Sequence, residues 1–369
     1  MIKKYLKNLF IIFFLFNFNL YSFINYTYTS NLLTIRTPLL PILENNQDFH
    51  RLSFSIKNIW SIQYEKYMID GEEIEINYTK NFKVSLFSNI GFDITYKLQT
   101  GGILDPLIES FHRMTGVTQQ YREYYPKNKI FISYEPFGEM YQFFDYTPYT
   151  KSLRRILRPY PRNGNEPPLF IPLPLITTDY ASYFVFNQFI LPLEIIPKKN
   201  NNFDSLDNPK FYFQYKLWQN HNNKIMIGIR GKFPFINKTD YFYSGGMDTS
   251  LFFSGSRYIE NNLEFIYGIS YTYYELKKWQ WIQMPDHQWS IRLQNNYYYR
   301  NFIYFVEYLF ISKPILNIGR LSEDSHYISF GMQYLYFDKK LTFSLIENFY
   351  LYATSPDLGF FFSIQWFNH

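Results

Sequence analysis

The 369-residue sequence contains no cysteine. That absence excludes disulfides, thiolate metal sites, a cysteine nucleophile and a lipid anchor on an N-terminal cysteine. No apolar run reaches the roughly 20 residues a membrane-spanning helix needs. A basic helix or an aromatic-basic platform is also missing, and the net charge of +5 comes from scattered Lys and Arg, so no nucleic-acid partner is expected. Neither a Gly-x-Ser-x-Gly elbow nor a His-Glu-x-x-His pair occurs, which argues against a serine hydrolase or a zinc protease but leaves open a barrel enzyme with catalytic groups on separate strands.

What the chain has in excess is aromatic side chains: 40 Phe, 37 Tyr and 6 Trp make 22% of the residues. Mean hydropathy is nevertheless −0.27, the value of a water-compatible chain. Many aromatics without a long apolar run suit a membrane barrel, whose strands turn one face to lipid and the other to water. At the N-terminus, Lys3, Lys4 and Lys7 precede an apolar stretch from Leu9 to Phe16, interrupted by Asn17 and Asn19 and followed by the small Ser22. This is the export pattern, and residues 1–22 are expected to be a signal peptide.

Period-2 alternation carries the architectural reading. In Lys224 to Phe233, Ile225, Ile227, Ile229 and Phe233 share one face, and Gly228, Arg230 and Lys232 share the other. Phe211, Phe213, Tyr215 and Leu217 repeat the stripe, as do Ile328, Phe330, Met332 and Tyr334, and finally Leu358, Phe360, Phe362, Ile364 and Trp366. Burying Arg230 or Lys232 in hydrocarbon would cost about 2–4 kcal/mol near the midplane, so both are expected to face the lumen and the isoleucines to face lipid. From the C-terminus, tight connections at 337–339, 299–301, 257–260 and 219–223 alternate with long ones at 312–324, 275–285, 234–245 and 197–208. That rhythm gives ten strands from about Ala181 onward. Upstream strands at 50–60, 72–80, 83–97 and Lys129 to Glu135 bring the expected antiparallel, up-and-down barrel to about 14 strands, with 12 as the alternative. The expected organisation is a signal peptide (1–22), an N-terminal segment (23–49) and one barrel domain (50–369).

Two stretches break the rhythm. Residues 137–178 interleave seven prolines with Lys151, Arg154, Arg155, Arg158 and Arg162, and so much proline rules out an ordinary central strand. The other is the helix expected over residues 103–115. There Gly101-Gly102 ends a strand, Asp105 caps, Pro106 opens the first turn, Leu107, Ile108 and Phe111 give an apolar side, and Gly116 terminates.

Ile69-Asp70-Gly71-Glu72, the block from Gly102-Ile103-Leu104-Asp105 to Phe111-His112 with Gly116 and Arg122, Ser244-Gly245-Gly246-Met247-Asp248, and Ser355-Pro356-Asp357 occur in that order. Together they resemble the bacterial outer-membrane family catalogued as domain of unknown function 3187. The resemblance implies an exported, barrel-like membrane protein and assigns no reaction. Lys232-Phe233-Pro234-Phe235 departs from the family pattern, where Thr-Gly would follow the proline, and the proline-rich segment reads as an addition.

Asp105, Glu109 and His112, at i, i+4 and i+7, project from one side of the helix. Two carboxylates and an imidazole suit a pore lining, a divalent cation or acid–base work. The plainer reading is a cap, a solvated carboxylate and a loop hydrogen bond, and no nucleophile or second histidine accompanies them. Asp70-Gly71 reads as a turn before a strand. No catalytic set, resident metal or cofactor is therefore assigned, and Asp105, Glu109, His112, Arg230 and Lys232 are the ligand or pore-lining candidates. The expected function is an outer-membrane channel or transporter for small polar solutes, exported and inserted by the barrel-assembly machinery, with the helix and the proline-rich loop as constrictions. A membrane-embedded hydrolase and a non-conducting structural or assembly protein are the alternatives.

Overall fold

The structure, a computed structural model, describes residues 38–43, 47–63, 67–100, 104–115, 129–134, 139–145, 157–160, 169–172, 204–235, 246–260, 262–279, 282–317, 319–348 and 358–367. In chain order the elements are β1 (Phe49–Gln63), β2 (Tyr67–Lys83), β3 (Ser88–Thr100), helix α1 (Asp105–Thr115), β4 (Lys129–Tyr134), β5 (Glu139–Asp145), β6 (Leu157–Tyr160), β7 (Leu169–Pro172), β8 (Asp204–Leu206), β9 (Lys210–Gln219) and β10 (Asn223–Lys232). There follow β11 (Asp248–Glu260), β12 (Leu263–Tyr274), the small hairpin β13 (Lys278–Trp279) and β14 (Ile282–Gln283), β15 (His287–Tyr299), β16 (Phe302–Ile311), β17 (Ser325–Tyr336), β18 (Lys339–Asn348) and β19 (Leu358–Phe367).

The pairing closes on itself. β1 to β3, β9 to β12 and β15 to β19 pair antiparallel in succession, and β19 returns to β1 with Phe49 opposite Phe367 and Asn58 opposite Leu358. The result is a closed ring of 12 strands, which leaves no open edge. The count is 12 and not the favoured 14 because Lys129–Tyr134 is not a stave of the ring. It pairs with Tyr67–Ile69, beyond the last β2–β3 partners Glu72 and Thr100, and continues into β5 as a side branch. Alternation identifies a strand but not which neighbour it joins. The other extra strand expected, near Ala181, lies outside the described residues.

Connections sort by end. The four-residue or shorter turns 84–87, 220–222, 261–262, 300–301 and 337–338 lie at the end where β1 begins and β19 finishes. Longer connections at 233–247, 275–286, 312–324 and 349–357 lie at the other, together with the whole of 101–209, which links the adjacent staves β3 and β9. Only 64–66 is short at that end. Asp70-Gly71 is not a turn: both residues sit inside the long β2, opposite Trp60 and Ile59, because the β1–β2 hairpin runs on past the rim.

Each stave alternates, as a two-sided wall must. On β1, Leu52 and Phe54 are exposed outward, whereas Arg51, Ser53, Ser55 and Lys57 are buried inward. On β10, Ile227 and Ile229 are each 44% exposed, against 4% for Arg230 and 0% for Lys232. Exposed apolar side chains continue around the ring through Phe213, Phe253, Ile269, Ile291, Val306, Phe330, Phe343 and Phe362. The outer surface is thus an apolar belt and the inner one is dominated by polar groups.

Candidate functional site

The lumen has two unlike sides. From β1 round to β11 it carries a ladder of ion pairs, made by residues that the strand period turns inward and by Asp207 from the connection before β9. Lys57 Nζ lies 2.8 Å from Glu75 and 3.4 Å from Glu73. Lys97 bridges Glu75 at 3.6 Å and Asp207 at 3.5 Å, and Lys210 holds Asp207 at 3.0 Å. Arg230 reaches across β9 to Asp93, and Lys232 pairs with Asp248. Cations and carboxylates therefore balance along this ladder. Charges this far from water persist only when paired, since removing one partner of a buried pair costs about 3–5 kcal/mol. For Asp207, in the connection between β8 and β9, burial pushes the carboxyl up, but Lys210, Lys97 and Lys232 outweigh it and hold the acid well below the ordinary carboxylate range.

From β16 to β19 the inner face is mixed: among buried polar groups such as Ser329, Gln333, Ser344 and Glu307, which pairs with Arg292 of β15 at 2.6 Å, the side chains of Phe305, Leu309, Ile311, Tyr327, Ile346 and Phe361 form an apolar shelf. Close backbone approach fixes part of it. A Cβ on Gly331 would stand 2.3 Å from the Phe305 ring and 2.4 Å from the Phe343 carbonyl, so only glycine lets Phe305 lie flat against β17.

Between the two sides runs the chain's own N-terminal segment. Residues 38–43, Pro-Leu-Leu-Pro-Ile-Leu, are buried throughout, with Leu39, Leu40, Ile42 and Leu43 at 0–1% exposure. Leu40 packs on the apolar shelf, Ile42 against Tyr212 and Phe252, and Leu43 against Met226 and Ile266. The backbone carbonyls turn to the polar staves. Ser250 Oγ donates to Leu39 O at 3.1 Å, Arg230 Nη1 to Leu40 O at 3.4 Å, and Gln214 Nε2 and Ser254 Oγ to Ile42 O at 3.0 and 2.6 Å. Nearer the turn end, Asn81 donates to Gln47 O at 2.7 Å and Asp48 accepts from the Lys83 N–H, where the chain passes into β1. The segment thus runs down the lumen from the loop side and fills it at the level of Gln214, Ser250 and Ser254, all 0% exposed.

The candidates read from the sequence fall in two places. Arg230 and Lys232 are on the inner face, in the ladder. α1 is elsewhere: Leu104 and Ile108 pack on Ile56, with Ile74, Leu358 and Phe360 alongside. Those wall residues share strand parity with the exposed Leu52, Phe54, Ile76 and Phe362, so the helix lies against the outside of the barrel, towards the loop end. Glu72, also on that outer face, accepts the Leu104 N–H at 2.5 Å and fastens the helix start. Asp105 is buried and Glu109 half-buried on this outer wall, away from the lumen, while the His112 side chain lies outside the described residues. A helix constricting the pore is thereby corrected: its apolar side needed an apolar surface, and the outer wall supplies one. The proline-rich stretch is described only at β5 to β7.

The sequence reading missed the luminal segment and most of the ladder. The ladder had a signal, since Glu73, Glu75, Asn77 and Thr79 alternate with Ile74 and Ile76 on β2 as clearly as Arg230 and Lys232 do on β10. The segment had only two prolines around a short apolar run.

A family model described as a protein of unknown function (DUF3187) matches residues 16–150 and 197–366. The chain belongs to this family. The DUF3187 match includes the luminal segment, α1 and the ring strands from β1 into β19, and passes over 151–196, where much of the proline-rich stretch lies. No curated protein matches the sequence. Among solved structures, a NanC porin aligns with TM-score 0.38 and 7% identity, covering 87% of this DUF3187 chain and 100% of that one. The CymD monoaromatic hydrocarbon channel aligns at 0.37 and 10%, covering 88% and 89%, and the Pseudomonas putida toluene transporter TodX at 0.36 and 8%, covering 93% of both. These likenesses assign no solute to the DUF3187 chain.

Proposed function

We propose that the protein is an outer-membrane β-barrel channel for small polar solutes, held shut by residues 38–43. The observation that carries this reading is the two-sided closed ring, with an apolar belt outside and a charge-paired, hydrogen-bonding wall inside. An apolar belt of that kind is stable only against lipid or a partner, and ring closure pairs the edges of the staves, as a bilayer demands. Turns gathered at the end holding β1's start and β19's finish, and longer connections at the other, fit insertion from the periplasm by the barrel-assembly machinery after export on residues 1–22. The balanced ladder favours polar solutes without strong preference for either charge.

The test is solute efflux from liposomes holding the full-length protein or its Leu40→Asp variant. Placing a carboxylate on the apolar shelf expels the segment, so glucose and glycine are expected to leave variant liposomes much faster than wild-type ones. Equal retention by both, with both barrels folded by heat-modifiable gel mobility, would favour the non-conducting structural role.

A further inference from the structure

The segment in the lumen is held as a bound peptide would be held. Four donors on three neighbouring staves, Gln214 on β9, Arg230 on β10, and Ser250 and Ser254 on β11, address the carbonyls of Leu39, Leu40 and Ile42. Such contacts read main chain and are indifferent to side-chain identity. Pro38 and Pro41 bring no N–H, so at those positions the segment offers no donor to a wall that is itself donating. Side-chain selection comes from the opposite face, where the shelf of Phe305, Leu309, Ile311, Tyr327, Ile346 and Phe361 receives one branched apolar group, Leu40, and smaller apolar contacts receive Ile42 and Leu43. Donors for carbonyls on one side and an apolar pocket on the other define an extended apolar peptide, not a sugar or a free ion.

We infer that this part of the lumen is a peptide-binding site and that residues 38–43 are its tethered occupant. An extended apolar peptide with a branched side chain at the Leu40 position, supplied in trans, competes for it. The inference rests on the channel reading for its biological setting, but its test reads binding, so either fails without the other. Tethering gives the occupant a local concentration in the millimolar range, so a free peptide competes poorly until the tethered copy is weakened.

The probe is a fluorescein-labelled peptide with the sequence of residues 37–43, titrated by anisotropy against the folded full-length protein in detergent. Binding to Leu40→Asp is expected to be tighter than to wild type by on the order of tenfold or more. The same probe carrying Leu40→Asp should lose that advantage, and Gln214→Leu with Ser254→Ala in the Leu40→Asp background should weaken the original probe by about tenfold, two main-chain hydrogen bonds being removed. Should Leu40→Asp fail to assemble, Leu40→Ala weakens the tethered copy without a buried charge. Equal affinity for wild type and variant, or affinity blind to the probe's own Leu40→Asp change, would show partition into detergent and overturn the proposal.

Discussion

Leu40→Ala removes the side chain that the apolar shelf receives and leaves every backbone carbonyl contact of the segment in place. Leu40 is 1% exposed and belongs to one buried cluster with the apolar shelf on β16 to β19. Truncating a buried leucine costs about 2–5 kcal/mol, and the upper part of that range applies where the site does not collapse on the gap. Here the shelf stands on four staves of a closed hydrogen-bonded ring, so its walls are fixed and the loss falls almost wholly on docking of the segment. At about 1.4 kcal/mol per factor of ten, the displaced population rises by roughly thirtyfold to a few thousandfold. The barrel itself keeps its stability, because ring pairing does not pass through Leu40. Single-channel recording in planar bilayers reads the displaced population as open probability, with heat-modifiable mobility as the folding control. A folded Leu40→Ala barrel whose open probability equals that of wild type would refute the reasoning.

Other consequences follow from the two walls. Arg230→Met strands the Asp93 carboxylate among buried groups and is expected to destabilise by about 3–5 kcal/mol in urea titration from lipid vesicles, whereas adding Asp93→Leu recovers most of the loss; equal instability of single and double variants would contradict pairing. Ile229→Lys places a charge in the outer belt and should cost up to about 2–4 kcal/mol by the same titration, whereas the apolar Ile229→Leu should cost far less. Glu72→Ala removes the acceptor of the Leu104 N–H, so hydrogen exchange over α1 should quicken while the ring strands stay protected. Exchange quickening throughout the ring would place Glu72 in the barrel's own stability instead.

The strands were legible wherever one face is apolar and the other polar, as on β10, β17 and β19, because a period of two is what a two-sided wall writes into a sequence. β16 shows where that signal stops. Ile303, Phe305, Leu309 and Ile311 point inward with Glu307 among them, while Tyr304, Val306, Tyr308 and Phe310 point outward, so apolar residues dominate both faces and only Glu307 tells them apart. Lys129–Tyr134 shows a second limit, since ring closure is a property of partners and not of any one strand. Arg230 and Lys232 were readable from their own strand, but Asp93 stands two staves away from Arg230 and is connected to it only through the register of β9. Asp105, Glu109 and His112 share a helical side, yet nothing in their spacing tells an outer wall from an inner one. The luminal segment was least visible, because six residues without a period announce neither helix nor strand, and a ligand-like fit depends on surfaces contributed by distant staves.

Because the chain has no native cysteine, a designed pair gives a silent background for the most direct measurement. Leu43→Cys with Met226→Cys puts thiols on two side chains that pack together inside the ring. Treatment of native membranes with the small oxidant iodine is expected to join them as a disulfide within one chain, and a water-soluble maleimide should label neither in the untreated folded protein until the barrel is unfolded. Free labelling of both cysteines in the folded protein, with no cross-link, would contradict a lumen filled by residues 38–43.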